Sequence, residues 1–474
     1  VALSANTVWE VRPTVGNDTN GGAFVTGASG TDFSQQNAKN SGGNNSSTTD
    51  GVANGTTTFT SATANFTAAI VGNIIYVTGT GVTTGWYQVV SFTNGTTVVL
   101  DQSPGTGTGL TMNIGGALLT VSLAFTNAQN ITSSSALLIY VKATGAYTVT
   151  AALTPTQSNT GPITIIGYST TRGDNGRFSW TTATNSIHLV QFNSGQNVTF
   201  QNIAFSSTAG TPGDGITNNN TAVFGCAIIN CSFTGFRYGV DGDWNVENII
   251  YLTMDNCEVS GCTIGVTNSG TTVLMNCYIH DNTSHGYLNE APHAIGVTFE
   301  RCVFYNNGGK GAEIDAGTQY VTVNGCAFVS NTSDGLEVGG QSPGVPLSVL
   351  NSIFVSNGGF GINVPSQGYG AGTIRNNAYF NNTSGAVSRT ALNGMNDVTL
   401  TGSPFNNPSG DDFGLNSTAG AGAACKAAGW QGNLNGAGAN LDIGPVQSAG
   451  SGGGGAVTNY IISKNVTQII VEDY

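Results

Sequence analysis

The sequence predicts an all-β solenoid, and three observations carry that expectation. The first is a column of cysteines. Cys231, Cys257, Cys277, Cys302 and Cys326 recur at steps of 26, 20, 25 and 24 residues, and the step continues without sulfur at Ile203, Ser352 and Asn377. Each sits in one short phrase, such as Asn230-Cys231-Ser232-Phe233, Asn276-Cys277-Tyr278-Ile279 or Arg301-Cys302-Val303-Phe304. The second is a marker glycine eight or nine residues later, at Gly239, Gly265, Gly286, Gly311, Gly335, Gly361 and Gly385. The third is composition: 8% charged residues and 69 glycines, with 39% hydrophobic residues that alternate with Ser, Thr and Asn. A typical domain is about 25% charged, and helices want the Glu, Lys and Leu this chain lacks. A unit of twenty-odd residues cannot bury its own apolar side, but stacked copies can.

The elements follow in order. Val8-Trp9-Glu10-Val11-Arg12 reads as a short strand leading into the turn-rich Gly16–Gly22, and residues 35–50 read as a loop. Residues 51–118 read as a small β insertion with strands at Thr57–Thr60, Ile74–Thr78, Trp86–Phe92 and Thr97–Asp101. Solenoid strands begin at Leu137–Val141, Tyr147–Val149 and Ile163–Ile166, continue at Ile187–Phe192 and Val198–Phe205, and recur to about residue 387. Residues 388–448 are less regular and are expected to cap the last coil. The division is 1–50 (strand and cap loop), 51–118 (insertion), 119–448 (solenoid with its cap) and 449–474 (Gly-rich linker and strand-like tail). The tail carries Tyr460, Ile461, Ile462, Ile469, Ile470 and Val471, which suit either folding back or pairing with a neighbouring subunit.

Within a coil, Gly and Asn are expected to supply the left-handed backbone at the corners. After each marker glycine, Val240, Val266, Tyr287, Ala312, Leu336 and Ile362 should point inward. Alternation then points Asp241, Thr267, Leu288, Glu313, Glu337 and Asn363 outward.

The repeat, the opening Trp9-Glu10-Val11 with Gly16-Asn17-Asp18-Thr19-Asn20-Gly21-Gly22, and the closing Asp442-Ile443-Gly444 resemble the pectin-lyase-like superfamily. That resemblance implies a right-handed parallel β-helix over most of the chain, outside the insertion and the tail. The superfamily spans polysaccharide lyases, glycoside hydrolases, adhesins and phage tailspikes, so fold alone does not select an activity. The head, through Gly27-Ala28-Ser29-Gly30-Thr31-Asp32-Phe33, is similar to β-helix proteins predicted in bacteriophage genomes, usually taken as virion surface components.

A net charge of −13, without a basic patch, argues against nucleic-acid binding. No run of 18 apolar residues is present to span a membrane as a helix. The eight cysteines lack zinc spacing and fall mostly at inward positions, as buried free thiols would. Unpaired thiols suggest folding in a reducing cytoplasm; the start at Val1-Ala2-Leu3 reads either as the product of signal-peptide removal or as a native start without its initiator Met.

The chemistry, if any, lies in Glu313 and Glu337. Both stand two residues after a marker glycine on adjacent coils, within reach of the about 5–5.5 Å used by retaining glycosidases. Asp315 and Asp334 are near in sequence, as are the cations Lys310 and Arg301. A β-elimination lyase would need more basic residues than the solenoid holds. His280, His285 and His293, with Glu290 and Glu300, match no metal-ligand spacing and read as turn residues. No cofactor or metal motif is visible. The expected role is a non-catalytic surface or fibre component of a virion or extracellular filament, with the protein itself as partner. The alternatives are a carbohydrate-active or carbohydrate-binding tailspike-like protein facing cell-surface polysaccharide, and a secreted adhesin or filament subunit.

Overall fold

The computed structural model describes residues 3, 6–39, 46–127, 137–154, 162–192, 197–218, 225–244, 247–248, 251–289, 296–314, 318–339, 346–365, 371–389, 394–430 and 441–447. The chain forms an all-β, right-handed parallel β-helix with added strand elements. It divides into two compact units, residues 1–183 with 191–205 and residues 184–190 with 206–474.

In the first unit, Thr7–Val11 pairs in parallel with Leu137–Lys142, which pairs in turn with Ile163–Tyr168 and then Asn197–Gln201. Glu10 of the opening strand is buried. It accepts hydrogen bonds from Arg12 Nε at 2.9 Å, Arg172 Nη2 at 2.7 Å and the Tyr168 hydroxyl. A buried carboxylate survives because it is paired and bonded on every side. The insertion is a closed six-stranded barrel, with strands in the order Ser47–Asn54, Thr58–Thr60, Thr97–Leu100, Gly85–Asn94, Ile74–Thr78 and Thr106–Ile114. Its core holds Phe59, Ile75, Tyr87, Val98, Leu110 and Met112. Two of these strands escaped the sequence reading. Ser47–Asn54 begins inside the stretch read as a loop, and Thr106–Ile114 is Gly- and Thr-rich. Closure removes the free edges that a short sheet would otherwise expose.

In the second unit each coil contributes one strand to each of three parallel sheets. Sheet one holds Gly225–Ile229, Tyr251–Asp255, Thr271–Met275, Val297–Glu300, Val321–Asn324, Pro346–Leu350 and Ala371–Arg375. Sheet two runs from Ser232–Thr234 through Tyr278–His280 and Ala327–Val329 to Val398–Thr399. Sheet three runs from Ile216–Asn218 through Ala312–Ile314 and Leu336–Val338 to Gly385–Val387. The cysteine column lies just inside the corner between sheets one and two. All eight cysteines are free and buried. Burial pushes the Cys277 and Cys302 thiols well above their ordinary range, which makes them apolar fillers rather than nucleophiles. Two residues on, Phe304, Phe328, Phe354 and Tyr379 stack at centroid spacings of 4.8, 5.0 and 5.4 Å, close to the rung spacing of a sheet.

The corner residues before the cysteine column are left-handed, with φ of 51–54° at Asn230, Asn256, Asn276, Arg301, Asn351 and Asn376. The marker glycines have a different reason. Only Gly385 among them has a positive φ. A Cβ on Gly239, Gly265, Gly286 or Gly311 would instead sit 2.5–2.6 Å from the carbonyl oxygen of the next marker glycine, so coil spacing excludes a side chain there.

A second column lies five residues after the first. Asn282, Asn307, Asn331, Asn357 and Asn382 form a ladder in which each Nδ2 donates to the next Oδ1, at 2.9, 2.9, 3.0 and 2.8 Å. The same Nδ2 groups reach back to carbonyls such as Phe304 O at 3.0 Å and Phe328 O at 2.9 Å. Backbone N–H groups of Asn307 and Asn331 also donate to the next Oδ1. From Asn282 to Asn357 each side-chain amide uses both its donor and its acceptor, as a buried polar stack requires.

The segment after residue 388 both extends and covers the coils. Val398–Thr399 adds a strand to sheet two. Leu400, Phe405, Phe413, Leu415, Cys425 and Ile443 then pack on Tyr278, Val303, Ala327, Ile353 and Ala378, along the outer face of that sheet. The expectation of a cap on the last coil alone missed this layer, because the outward apolar residues of sheet two were not counted. The tail, with Tyr460, Ile461, Ile462, Ile469, Ile470 and Val471, lies outside the described residues.

Candidate functional site

The outer column of sheet three is uneven. Asp241, Thr267 and Leu288, expected to face solvent, are buried. Glu313, Glu337 and Asn363 remain partly exposed. Glu313 and Glu337 are direct register partners, with Leu288 before them and Asn363 after. Like charges opposed on neighbouring strands repel, so the column needs a counter-charge.

Lys310 supplies it from the position just before a marker glycine. Its Nζ lies 2.7 Å from Glu313 Oε1 and 2.8 Å from Glu337 Oε1. The two carboxylate oxygens are therefore no further apart than the sum of those distances. His285 holds the corresponding position one coil earlier. Its Nε2 lies 2.9 Å from Glu313 Oε2, and its Nδ1 lies 2.7 Å from Ser284 Oγ. Asp334 holds that position one coil later. It accepts from Phe360 N at 2.5 Å and from Asn363 Nδ2 at 2.9 Å, while Asn363 Nδ2 also donates to Glu337 Oε2 at 2.9 Å. His285, Lys310 and Asp334 thus form a second column, diagonal to the first.

The environments of the two glutamates diverge. The His285 hydrogen bond holds the Glu313 carboxyl down at about 2; burial opposes this and Lys310 assists it. Glu337 moves the other way. Burial, with Asp334 and Glu313 close by, outweighs Lys310 and raises it. Burial pulls Lys310 down, but its two carboxylate partners hold it above its ordinary value. The surroundings thus push the two carboxyl pKa values apart, Glu313 down and Glu337 up.

The remaining candidates disperse. Arg301 stands at a sheet-one corner with its Nε on Asn276 Oδ1 at 3.0 Å. His280 lies on sheet two between Glu258 and Asp281, at 3.2 and 2.7 Å, with its ring stacked on Tyr278. Burial works against its charge, but the two carboxylates hold its pKa up. It is therefore separated from His285 rather than clustered with it. Asp241 meets Arg237 Nη2 at 3.8 Å, and that guanidinium is shared with Asp214 at 2.7 Å. Asp315, Glu290 and His293 lie outside the described residues. His285 was passed over as a turn histidine. The signal that could have found it is its offset from Gly286, the same offset that Lys310 and Asp334 hold from Gly311 and Gly335.

The family described as the right handed beta helix region matches residues 188–348. A comparison with curated protein sequences finds no match. Among solved structures, the chain is similar to the A-module of Azotobacter vinelandii mannuronan C-5 epimerase AlgE6, at 16% identity over 55% of this chain and 88% of that one, with a TM-score of 0.36. It is similar to pectate lyase Pel9A at 16% identity over 69% and 91%, with a TM-score of 0.39. ORF18 of Geobacillus virus E2 is similar at 15% identity over 56% and 52%, with a TM-score of 0.33. The chain has a right-handed parallel β-helix fold.

Proposed function

We propose that the protein is a glycan-directed β-helix whose Glu313–Glu337 pair hydrolyses a glycosidic bond with retention. The observation that carries this is one lysine bridging two register-paired glutamates whose carboxyl pKa values are pushed apart. The shared Lys310 keeps the two bridged carboxylate oxygens no further apart than the upper end of the about 5–5.5 Å of retaining pairs. Ionised Glu313 attacks the anomeric carbon, while protonated Glu337 donates its proton to the leaving oxygen as the C–O bond breaks. Glu337 then takes a proton from water, whose oxygen displaces Glu313 and frees the sugar. Lys310 orients both carboxylates, and His285 fixes Glu313.

The test is release of reducing sugar from a polysaccharide panel by wild type, Glu313→Gln and Glu337→Gln. Either substitution should lower kcat by about 10³-fold or more. The pH profile should be bell-shaped, with an acid limb from Glu313 and an alkaline limb where Glu337 loses its proton. Equal turnover in wild type and double variant would overturn the reading.

A second reading is a structural one: a surface or fibre component of a virion or extracellular filament. It is supported by the same network seen as a neutralised ladder, together with the self-satisfied asparagine stack. In that reading Tyr460–Ile462 and Ile469–Val471 donate a strand to a neighbouring copy. Light scattering should then show oligomers of the full chain that deletion of residues 449–474 dissolves, and intact oligomers after deletion would remove this reading.

A further inference from the structure

We infer that Tyr320 is a platform for an uncharged sugar ring, an inference that rests on the glycan reading for the nature of its ligand. Sheet-one register, extended by one residue, puts Gly296 and Tyr320, each just before its strand, in one column with Tyr251, Thr271 and Pro346. At Gly296 a Cβ would meet Tyr320 Cζ at 2.0 Å and its two Cε atoms at 2.3 Å. The ring therefore lies flat across the glycine, and no side chain fits beneath it. One face rests on backbone while the residue keeps 36% exposure, and Tyr251 in the same column keeps 59%.

A stray surface tyrosine needs no explanation, but one seated on a glycine is a different arrangement. The glycine is less ordered than an alanine would be in the unfolded chain, and in return the ring is held in one orientation. The adjoining outward column on the same sheet is uncharged: Thr253, Val273, Thr298, Thr322 and Ser348. Tyr320 also belongs to the coil of Glu313, on the stretch from the sheet-three strand Ala312–Ile314 to the sheet-one strand Val321–Asn324. An apolar ring face beside rows of hydroxyls suits a pyranose, whose faces are C–H and whose rim is hydroxyl. The net charge of −13 disfavours a polyuronate.

The experiment measures binding of soluble α- and β-glucans, mannan, xylan and polygalacturonate by calorimetry, in the Glu313→Gln/Glu337→Gln background. Tyr320→Ala should weaken binding of the preferred neutral glycan about tenfold, and Tyr320→Phe should leave it within about twofold. Gly296→Ala keeps the ring but unseats it, and should weaken binding as Tyr320→Ala does. Thermal melts confirm that each variant is folded. Unchanged binding in folded Tyr320→Ala, equal loss in Tyr320→Phe, or preference for polygalacturonate overturns the platform. In the catalytically intact background, sugar release with an unchanged KM for Tyr320→Ala removes the platform and leaves the hydrolase. Binding lost in Tyr320→Ala, with no sugar release by wild type, removes the hydrolase and leaves the platform. Binding to none of the panel removes both.

Discussion

Two columns run along the second unit in the same register, and they solve the same problem in opposite ways. The asparagine ladder from Asn282 to Asn382 repeats one residue in the interior. The outer column of sheet three runs Thr267, Leu288, Glu313, Glu337 and Asn363, with two carboxylates in succession. An amide carries a donor and an acceptor, so identical amides satisfy one another indefinitely. Carboxylates only accept, so two in register demand a foreign donor, here Lys310. Chemistry becomes available where repetition cannot satisfy itself.

The sharpest way to break the contrast is Asn331→Leu. It orphans the Asn307 N–H and one of the two Asn307 Nδ2 hydrogens and removes the bond to Phe304 O, and should cost about 3 kcal/mol in urea unfolding. A loss below about 1 kcal/mol would mean that the ladder is not what holds the corner. Gly311→Ala tests coil spacing. Its Cβ would fall 2.5 Å from Gly335 O, and we expect a loss of about 2 kcal/mol. A neutral result would show that adjacent coils can separate.

Lys310→Met addresses the outer column. The folded pKa of Glu313 lies below its ordinary 4.5, so its stabilising contribution is full above pH 4.5 and is lost as pH falls toward about 2. Without Lys310 that pKa rises, and the acid limb of thermal stability should move to higher pH. The accompanying loss at pH 7 should be about 1 kcal/mol or less, because both carboxylates are partly solvated. An acid limb that stays in place would show that His285 alone holds Glu313. Cys302→Ala should matter least, below about 1 kcal/mol, and should leave any glycan hydrolysis unchanged. A loss of activity there would contradict the inert-filler role.

Much of the fold could be read in advance, because a solenoid writes its register into the sequence. The cysteine steps located the sheet-one corners, and the phrase around them placed the stacked Phe304, Phe328 and Phe354. The asparagine ladder was equally regular, five residues after Cys277, Cys302, Cys326, Ser352 and Asn377, yet it was read only as turns. Turn propensity and buried amide stacking favour the same residue, and composition does not separate them. The barrel's closure and the layer over sheet two were hidden because both depend on contacts without a period. In the site, alternation found Glu313 and Glu337. It could not find His285 or the bridging role of Lys310, which act diagonally between coils.

The buried thiols also make the second unit a self-reporting zipper. Cys231 stands toward one end of the column and Cys326 toward the other, and each is sealed by the coils beside it. A thiol can meet an alkylating reagent only after its coil has peeled away, and a stacked array frays from its termini. The order in which these cysteines become labelled under mild denaturant therefore records the direction of unzipping. Cys425, buried within the layer that covers sheet two, times the lifting of that layer on the same clock.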